Sequence, residues 1–106
     1  MPTFVFRLIA SRPDFAMTMS EEEQRTMGAH AAHWQPYIES GRMVFFGPVL
    51  DGTGSWGLGV VEADDEDEIR SHAAEDPAVT GGVGQIEVGQ MLAGYVRPAP
   101  AGEQVT

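Results

Sequence analysis

The sequence predicts an α+β fold in which a four-stranded antiparallel sheet carries two helices on one face. Strand-like and helix-like segments follow one another in the order β-α-β-β-α-β, and the first two strand segments are apolar on both faces. Size agrees: 106 residues, 42% of them hydrophobic, supply one core and no more.

The first strand is Thr3 to Ala10, with Phe4, Phe6 and Leu8 on one face and Val5 and Ile9 with Arg7 on the other. A strand apolar on both faces is covered on both. Pro13 and Asp14 break the pattern over Ser11 to Met19, a segment that offers Phe15, Met17 and Met19 as a flap. Ser20-Glu21-Glu22-Glu23 has the spacing of a capping box and opens a long helix. Met27, Ala31, Trp34 and Ile38 recur along one helical face, and Gly41 supplies the stop. Pro36 interrupts this helix. An interior proline removes a hydrogen bond and clashes with the preceding turn at a cost of ~3 kcal/mol, so a kink or break is expected between Ala32 and Pro36.

Arg42 to Val49 reads as the second strand, and Asp51-Gly52 as a hairpin turn. In the third strand, Trp56 to Ala63, the face of Gly57, Gly59 and Val61 is thin, which permits close approach of another element. Asp64 to Glu75 forms the second helix, stopped by Asp76-Pro77 because a residue before proline avoids helical geometry. Gly81-Gly82 turns the chain into a fourth strand, Gln85 to Val96, with Gly89 and Gly94 as bend points. Residues 1–97 thus make one domain and residues 98–106 a flexible tail. In one sheet this order gives the ferredoxin-like split βαβ arrangement with both helices on one side. The uncovered apolar face would exceed the ~300–600 Å² patch common on monomers. A homodimer packed sheet to sheet is therefore predicted.

The chain holds 16 acidic and 6 basic residues, a formal charge of −10. Every basic residue is an arginine, and Arg7, Arg12, Arg25, Arg42, Arg70 and Arg97 stand singly, which argues against nucleic acid or an anionic membrane as partner. The acidic runs Glu21 to Glu23 and Glu62 to Glu68 fall at helix starts, where they complement the helix dipole, and lack the glycine spacing of a calcium loop. The apolar runs are far shorter than the ~18 residues of a membrane helix. No secretory signal pattern is present at the N-terminus, which predicts a cytoplasmic protein. There is no cysteine, hence neither disulfide nor thiolate chemistry.

Gly52-Thr53-Gly54-Ser55-Trp56-Gly57 matches G-x-G-x-x-G literally, yet it leads from a hairpin into a strand, where no helix N-terminus receives a phosphate. His30 and His33 supply at most two metal ligands, so no metal site is expected. His72 reads as a surface residue paired at best with Glu68, and His33 as lying toward solvent. His30 flanks the apolar stripe on the side of Tyr37. It is either a general acid or base, since imidazole titrates near neutral pH, or a boundary histidine bonded to backbone or Tyr37. Asp76 is the expected cap before a proline at the first helical position. Arg7 must be satisfied by an acid such as Glu87 or by a bound anion.

Met27-Gly28-Ala29-His30-Ala31-Ala32-His33-Trp34, the spacing from His30 to Gly41, Phe46-Gly47-Pro48-Val49, Gly57-Leu58-Gly59-Val60-Val61 and Asp76-Pro77-Ala78-Val79 follow one another along the chain. Together, in that order and spacing, they resemble the YCII-related (YciI-like) domain family over residues 3 to 96. The resemblance implies a dimeric ferredoxin-like fold of the α+β barrel type, with His30 and Asp76 as an active-site pair. One member of that family dehydrochlorinates a chlorinated hydroxyquinol, which implies acid-base elimination chemistry without a cofactor. On this reading His30 exchanges a proton with a small organic substrate, Asp76 orients or charges the imidazole, and Arg7, His33 and Tyr37 bind substrate, with Arg7 or Tyr37 steadying an anionic oxygen. The reaction class is then a lyase, an isomerase or a dehydrochlorinase. The alternative is a non-catalytic dimer that binds a small apolar ligand or serves as an accessory subunit, consistent with the capping role of Asp76. Two departures from the family pattern, His33 where many members carry tyrosine and Pro36 inside the helix, alter the pocket wall, so no substrate is carried over.

Overall fold

Alternation puts Phe4, Phe6 and Leu8 on one face of β1 (Thr3–Ala10), where all three are buried. In the computed structural model, which describes residues 1–95, this strand lies inside a single antiparallel sheet. Its companions are β2 (Met43–Asp51), β3 (Gly54–Glu62) and β4 (Gly84–Gln90), in the order β2-β3-β1-β4. The helices are α1 (Glu21–Glu39), α2 (Glu66–Ala74) and the one-turn α3 (Pro77–Thr80). The arrangement is the ferredoxin-like α+β fold predicted from the element order.

The capping box opens α1: Ser20 Oγ accepts the Glu23 N–H at 3.1 Å, and the Glu23 carboxylate accepts the Ser20 N–H at 2.9 Å. Gly41, at φ +80°, takes the left-handed turn that ends it. The expected break is absent, since the helix runs on through Pro36. Pro36 lies in the last turn, and Trp34 and Tyr37 on either side of it are buried in the core, which holds the backbone helical there. The buried stripe also differs from the expected one. His30, Trp34 and Tyr37 face inward while Ile38 stays 38% exposed. The helix is rotated toward residues whose polar ends find carboxylates, Asp76 for His30 and Trp34 and Glu68 for Tyr37.

The thin face of β3 is occupied by β1. The Phe6 ring lies so close over Gly59 that a Cβ there would sit 2.0 Å from a ring carbon, and Trp34 stacks on Phe6 with centroids 4.4 Å apart. The segment from Ser11 to Met19, read as a flap, is tied down. Its 3-10 turn (Phe15–Met17) buries Phe15, the Ser55 N–H donates to the Pro13 carbonyl at 2.7 Å, and Arg12 makes two hydrogen bonds to the Glu23 carboxylate. Met17, by contrast, is exposed.

The second helix is shorter than expected, opening at Glu66 behind the Asp65 N-cap and ending at Ala74; the chain then restarts at Asp76-Pro77 as α3. The fourth strand stops at Gln90, earlier than expected: Gln90 pairs with Phe4, the Met91 N–H still donates to the carbonyl of Thr3, where β1 begins, at 2.9 Å, and the expected end at Val96 lies outside the described residues. Register is unbroken at Gly89, and the sheet irregularity falls instead between Met43 and Phe45. The tail expected over 98–106 lies outside the described residues. On the sheet face away from the helices, Val5, Leu58 and Val60 are half-buried, Ile9 is 38% and Phe45 49% exposed, and Arg7 points outward. Among the described residues no helix is long and apolar enough to cross a membrane.

Candidate active site

Asp76 precedes Pro77 in extended backbone, the conformation that proline imposes on the residue before it, and this turns its carboxylate back over the start of α3. Oδ1 accepts the Ala78 N–H at 2.8 Å, the capping bond expected of an Asp-Pro junction. Oδ2 points the other way, into the core beneath α1. There it meets His30 Nδ1 at 2.6 Å and accepts the Trp34 indole N–H at 2.7 Å. The two donors sit four residues apart on one helical face, so a single carboxylate oxygen receives both. Asp76 is therefore both a cap and the partner of His30.

The carboxylate is fully buried. Burial alone raises its pKa, but the bonds from His30, the Ala78 N–H and Trp34 more than offset this and hold it below the usual aspartate range. An ionised Asp76 only accepts, so Nδ1 of His30 carries a hydrogen, and in the neutral imidazole Nε2 is the nitrogen with the lone pair. Among the described residues Nε2 has no hydrogen-bond partner, and His30 lines a cavity of about 320 Å³. Its walls are otherwise almost wholly apolar: Phe6, Leu8, Phe15, Met27, Phe46 and Gly57 line it with His30. The Phe46 ring lies 5.2 Å from that of His30. Gly57 puts no side chain on the helix-facing side of β3 there, and Phe15 and Ala16 of the 3-10 turn border the cavity. Ser55 also borders the cavity, but its hydroxyl is committed, donating to the Pro13 carbonyl and accepting the Ala16 N–H, each at 3.1 Å.

The structure brings His30 and Asp76 together and leaves the other three candidates elsewhere. Arg7 lies on the opposite sheet face, over the Trp56 ring at 4.6 Å and 3.9 Å from Glu87, the residue paired with it in the sheet. Tyr37 donates its hydroxyl to Glu68 at 2.7 Å. Burial and then that bond push it up to about 12, so it holds its proton at neutral pH. Arg42 grips the same carboxylate at 3.1 and 3.0 Å. His33 turns toward α2 rather than solvent. Its ring stacks on His72 at 3.8 Å, and each Nε2 approaches the other residue's carbonyl oxygen, at 2.7 and 2.8 Å. His72 is thus a half-buried interhelical contact rather than a surface residue; burial pulls its imidazole below the usual range. Among the described residues no three His, Asp or Glu side chains converge as metal ligands would.

Trp34 is the site residue that the sequence did not disclose. Its place in the apolar stripe marked it as core, and nothing in the spacing indicates that its N–H meets a carboxylate 42 residues further on.

An α+β domain with a buried His-Asp pair on an apolar cavity defines the class, and the sequence match narrows it. Residues 3–91 match the YCII-related domain, so the chain belongs to the YCII-related domain family. Among solved structures it is similar to 5-chloro-2-hydroxyhydroquinone dehydrochlorinase from Burkholderia phenoliruptrix in complex with 2,5-dihydroxybenzoquinone. The TM-score is 0.63 at 22% identity, over 86% of this chain and 95% of that one. No curated protein matches.

Proposed function

We propose that this protein is a small homodimeric, cofactor-independent enzyme of the cytoplasm that performs acid-base chemistry on a compact organic ring compound, with His30 Nε2 as the proton acceptor and donor. The observation that supports this reading is the 2.6 Å bond between His30 Nδ1 and a fully buried Asp76, which engages one ring nitrogen of a histidine that lines the cavity. The imidazolium formed on proton uptake is stabilised by the carboxylate behind it. A cavity of about 320 Å³ with aromatic walls suits one six-membered ring with small substituents. The similar enzyme is named for the dehydrochlorination of a hydroxylated ring, an elimination that a positioned base can drive.

Positioned acid-base help is worth roughly 10²–10⁴-fold. Wild type and His30→Ala would be assayed by absorbance against hydroxylated and halogenated six-membered rings, with 2,5-dihydroxybenzoquinone as a binding probe. Turnover lost by that factor, with the fold intact by circular dichroism, supports the reading; a variant that turns over normally overturns it. A non-catalytic binder is the second reading, favoured by a cavity in which, among the described residues, the one uncommitted polar side-chain atom belongs to His30. It predicts probe binding by both proteins and turnover by neither.

The homodimer rests on the outer sheet face, where Phe45 and Ile9 are exposed on either side of half-buried Val5, Leu58 and Val60. Sedimentation equilibrium tests it: a dimer that Phe45→Asp converts to monomer is expected, and a wild-type monomer at tens of micromolar would refute it.

A further inference from the structure

Asp76 Oδ2 is shared. It accepts His30 Nδ1 at 2.6 Å and the Trp34 indole N–H at 2.7 Å, while Oδ1 is held by the Ala78 N–H at 2.8 Å. A buried carboxylate is held in one orientation only when each of its oxygens is engaged, and here one of the three bonds comes from a residue with no place on the cavity. From this geometry we infer that Trp34 is a positioning residue for the His30-Asp76 pair: its N–H keeps the carboxylate aimed, and so holds His30 with Nδ1 bonded to it and Nε2 free.

Trp34 is well placed to do this rigidly. It is fully buried, stacked on Phe6 at 4.4 Å on one side, and braced by His72 at 4.5 Å and Tyr37 at 5.6 Å on others. The indole therefore cannot follow the carboxylate if it moves, and the carboxylate must come to it. The other bond to the same oxygen comes from His30, whose ring is free to take up and release a proton through Nε2. Asp76 would otherwise follow that proton. A donor that cannot itself ionise leaves Oδ2 with a fixed partner through the cycle. The titratable groups near Asp76 are His30 on α1, His72 on α2 and the preceding, exposed Glu75.

The kinetic part of this inference rests on the acid-base reading above; the positioning part does not, and the test separates them. Trp34→Phe keeps the stacked ring and loses the N–H. Because that variant also changes ring size, a second protein carries benzothienylalanine at position 34, a tryptophan isostere with sulfur in place of N–H. Asp76 is followed by its carboxyl ¹³C shift and the His30 tautomer by its ring ¹⁵N shifts, both without substrate. One lost bond to a charged acceptor is expected to raise the Asp76 titration midpoint by ~1 unit or more. The His30 ring should also show a mixed tautomer population. Glu68→Gln, which removes none of the three bonds to Asp76, should reproduce neither change. An isostere whose Asp76 midpoint and His30 tautomer equal those of wild type would overturn the inference. If both move while wild type turns over no ring compound, the positioning role stands and only the acid-base reading falls. Where turnover is found, the isostere should lower kcat about tenfold with KM nearly unchanged, whereas a change confined to KM would contradict the role.

Discussion

Two carboxylates receive side chains from α1, and they end differently. Asp76 takes His30 and Trp34; Glu68 takes Tyr37 together with Arg42 and the Asp64 N–H. Both sit near helix starts, both are held below their usual pKa, and both tie α1 to the segment that follows β3. At Glu68 Tyr37 spends its one proton on the carboxylate, Arg42 has no lone pair to offer, and neither lines the cavity. At Asp76 the imidazole has a second nitrogen without a hydrogen-bond partner among the described residues, and His30 lines a cavity. The same bonding pattern thus makes a clamp in one place and a candidate active centre in the other. What separates them is the leftover valence of the donor.

The widest gap between the two should appear on deletion. Asp76→Ala strands the Trp34 N–H, the His30 ring and the Ala78 N–H in the core, and we expect a loss of ~3–5 kcal/mol. Glu68→Ala leaves Arg42 and Tyr37 able to reach water, since the Glu68 side chain is 28% exposed, and should cost about 1 kcal/mol. Urea denaturation of both variants measures the difference. Equal losses would mean that the two carboxylates are both clamps.

Much of the fold and part of the site are legible in the sequence. The element order and the capping box follow directly from patterns a few residues long, because those features are local. His30 and Asp76 are readable as candidates through family resemblance, and Asp76 also as a cap. Its bond to His30 is not readable, because it joins residues 46 apart. The rotation of α1 escapes a sequence reading because hydrophobicity favours Ile38 over His30 and Tyr37. The carboxylates that draw those two inward lie on the other side of the β-hairpin in sequence. His33 and His72 are misplaced by sequence for a related reason: each finds its acceptor on the other's backbone, and a backbone carbonyl leaves no sequence signal.

Acid and alkali pull on different halves of the comparison. Asp76 and Glu68 have folded pKa values below their unfolded ones, so the stability they contribute is complete above the unfolded value, ~4, and is lost as pH falls through the lowered folded value. Tyr37 runs the other way. Burial and its bond to Glu68 raise it to about 12, so its contribution is complete below its unfolded value, ~10, and is lost as pH rises toward 12. The chain has no lysine, which leaves that alkaline window unusually clear of other side chains. Melting temperature should therefore decline between about pH 10 and 12 in wild type and less steeply in Tyr37→Phe. Identical alkaline limbs would remove Tyr37 from the clamp.

The smallest change in stability should come from a substitution that separates cavity from pair. Gly57 borders the cavity, and a Cβ there would stand 3.2 Å from the Leu8 Cβ, so Leu8 must yield by a few tenths of an ångström. Its backbone is not in the left-handed region, so alanine is compatible with it. Reduced freedom of the unfolded chain gives roughly 0.4–1 kcal/mol in favour of Gly57→Ala, and displacement of Leu8 works against it. We expect the sum to stay within about 1 kcal/mol of wild type. The added methyl nevertheless takes space from a cavity that has little to spare, and it does so without touching His30, Asp76 or Trp34. Isothermal titration with 2,5-dihydroxybenzoquinone should show weakened binding while the His30 ¹⁵N signature is retained. Unchanged affinity would mean that the ring is held outside this cavity, and the free nitrogen of His30 would then have no substrate to face.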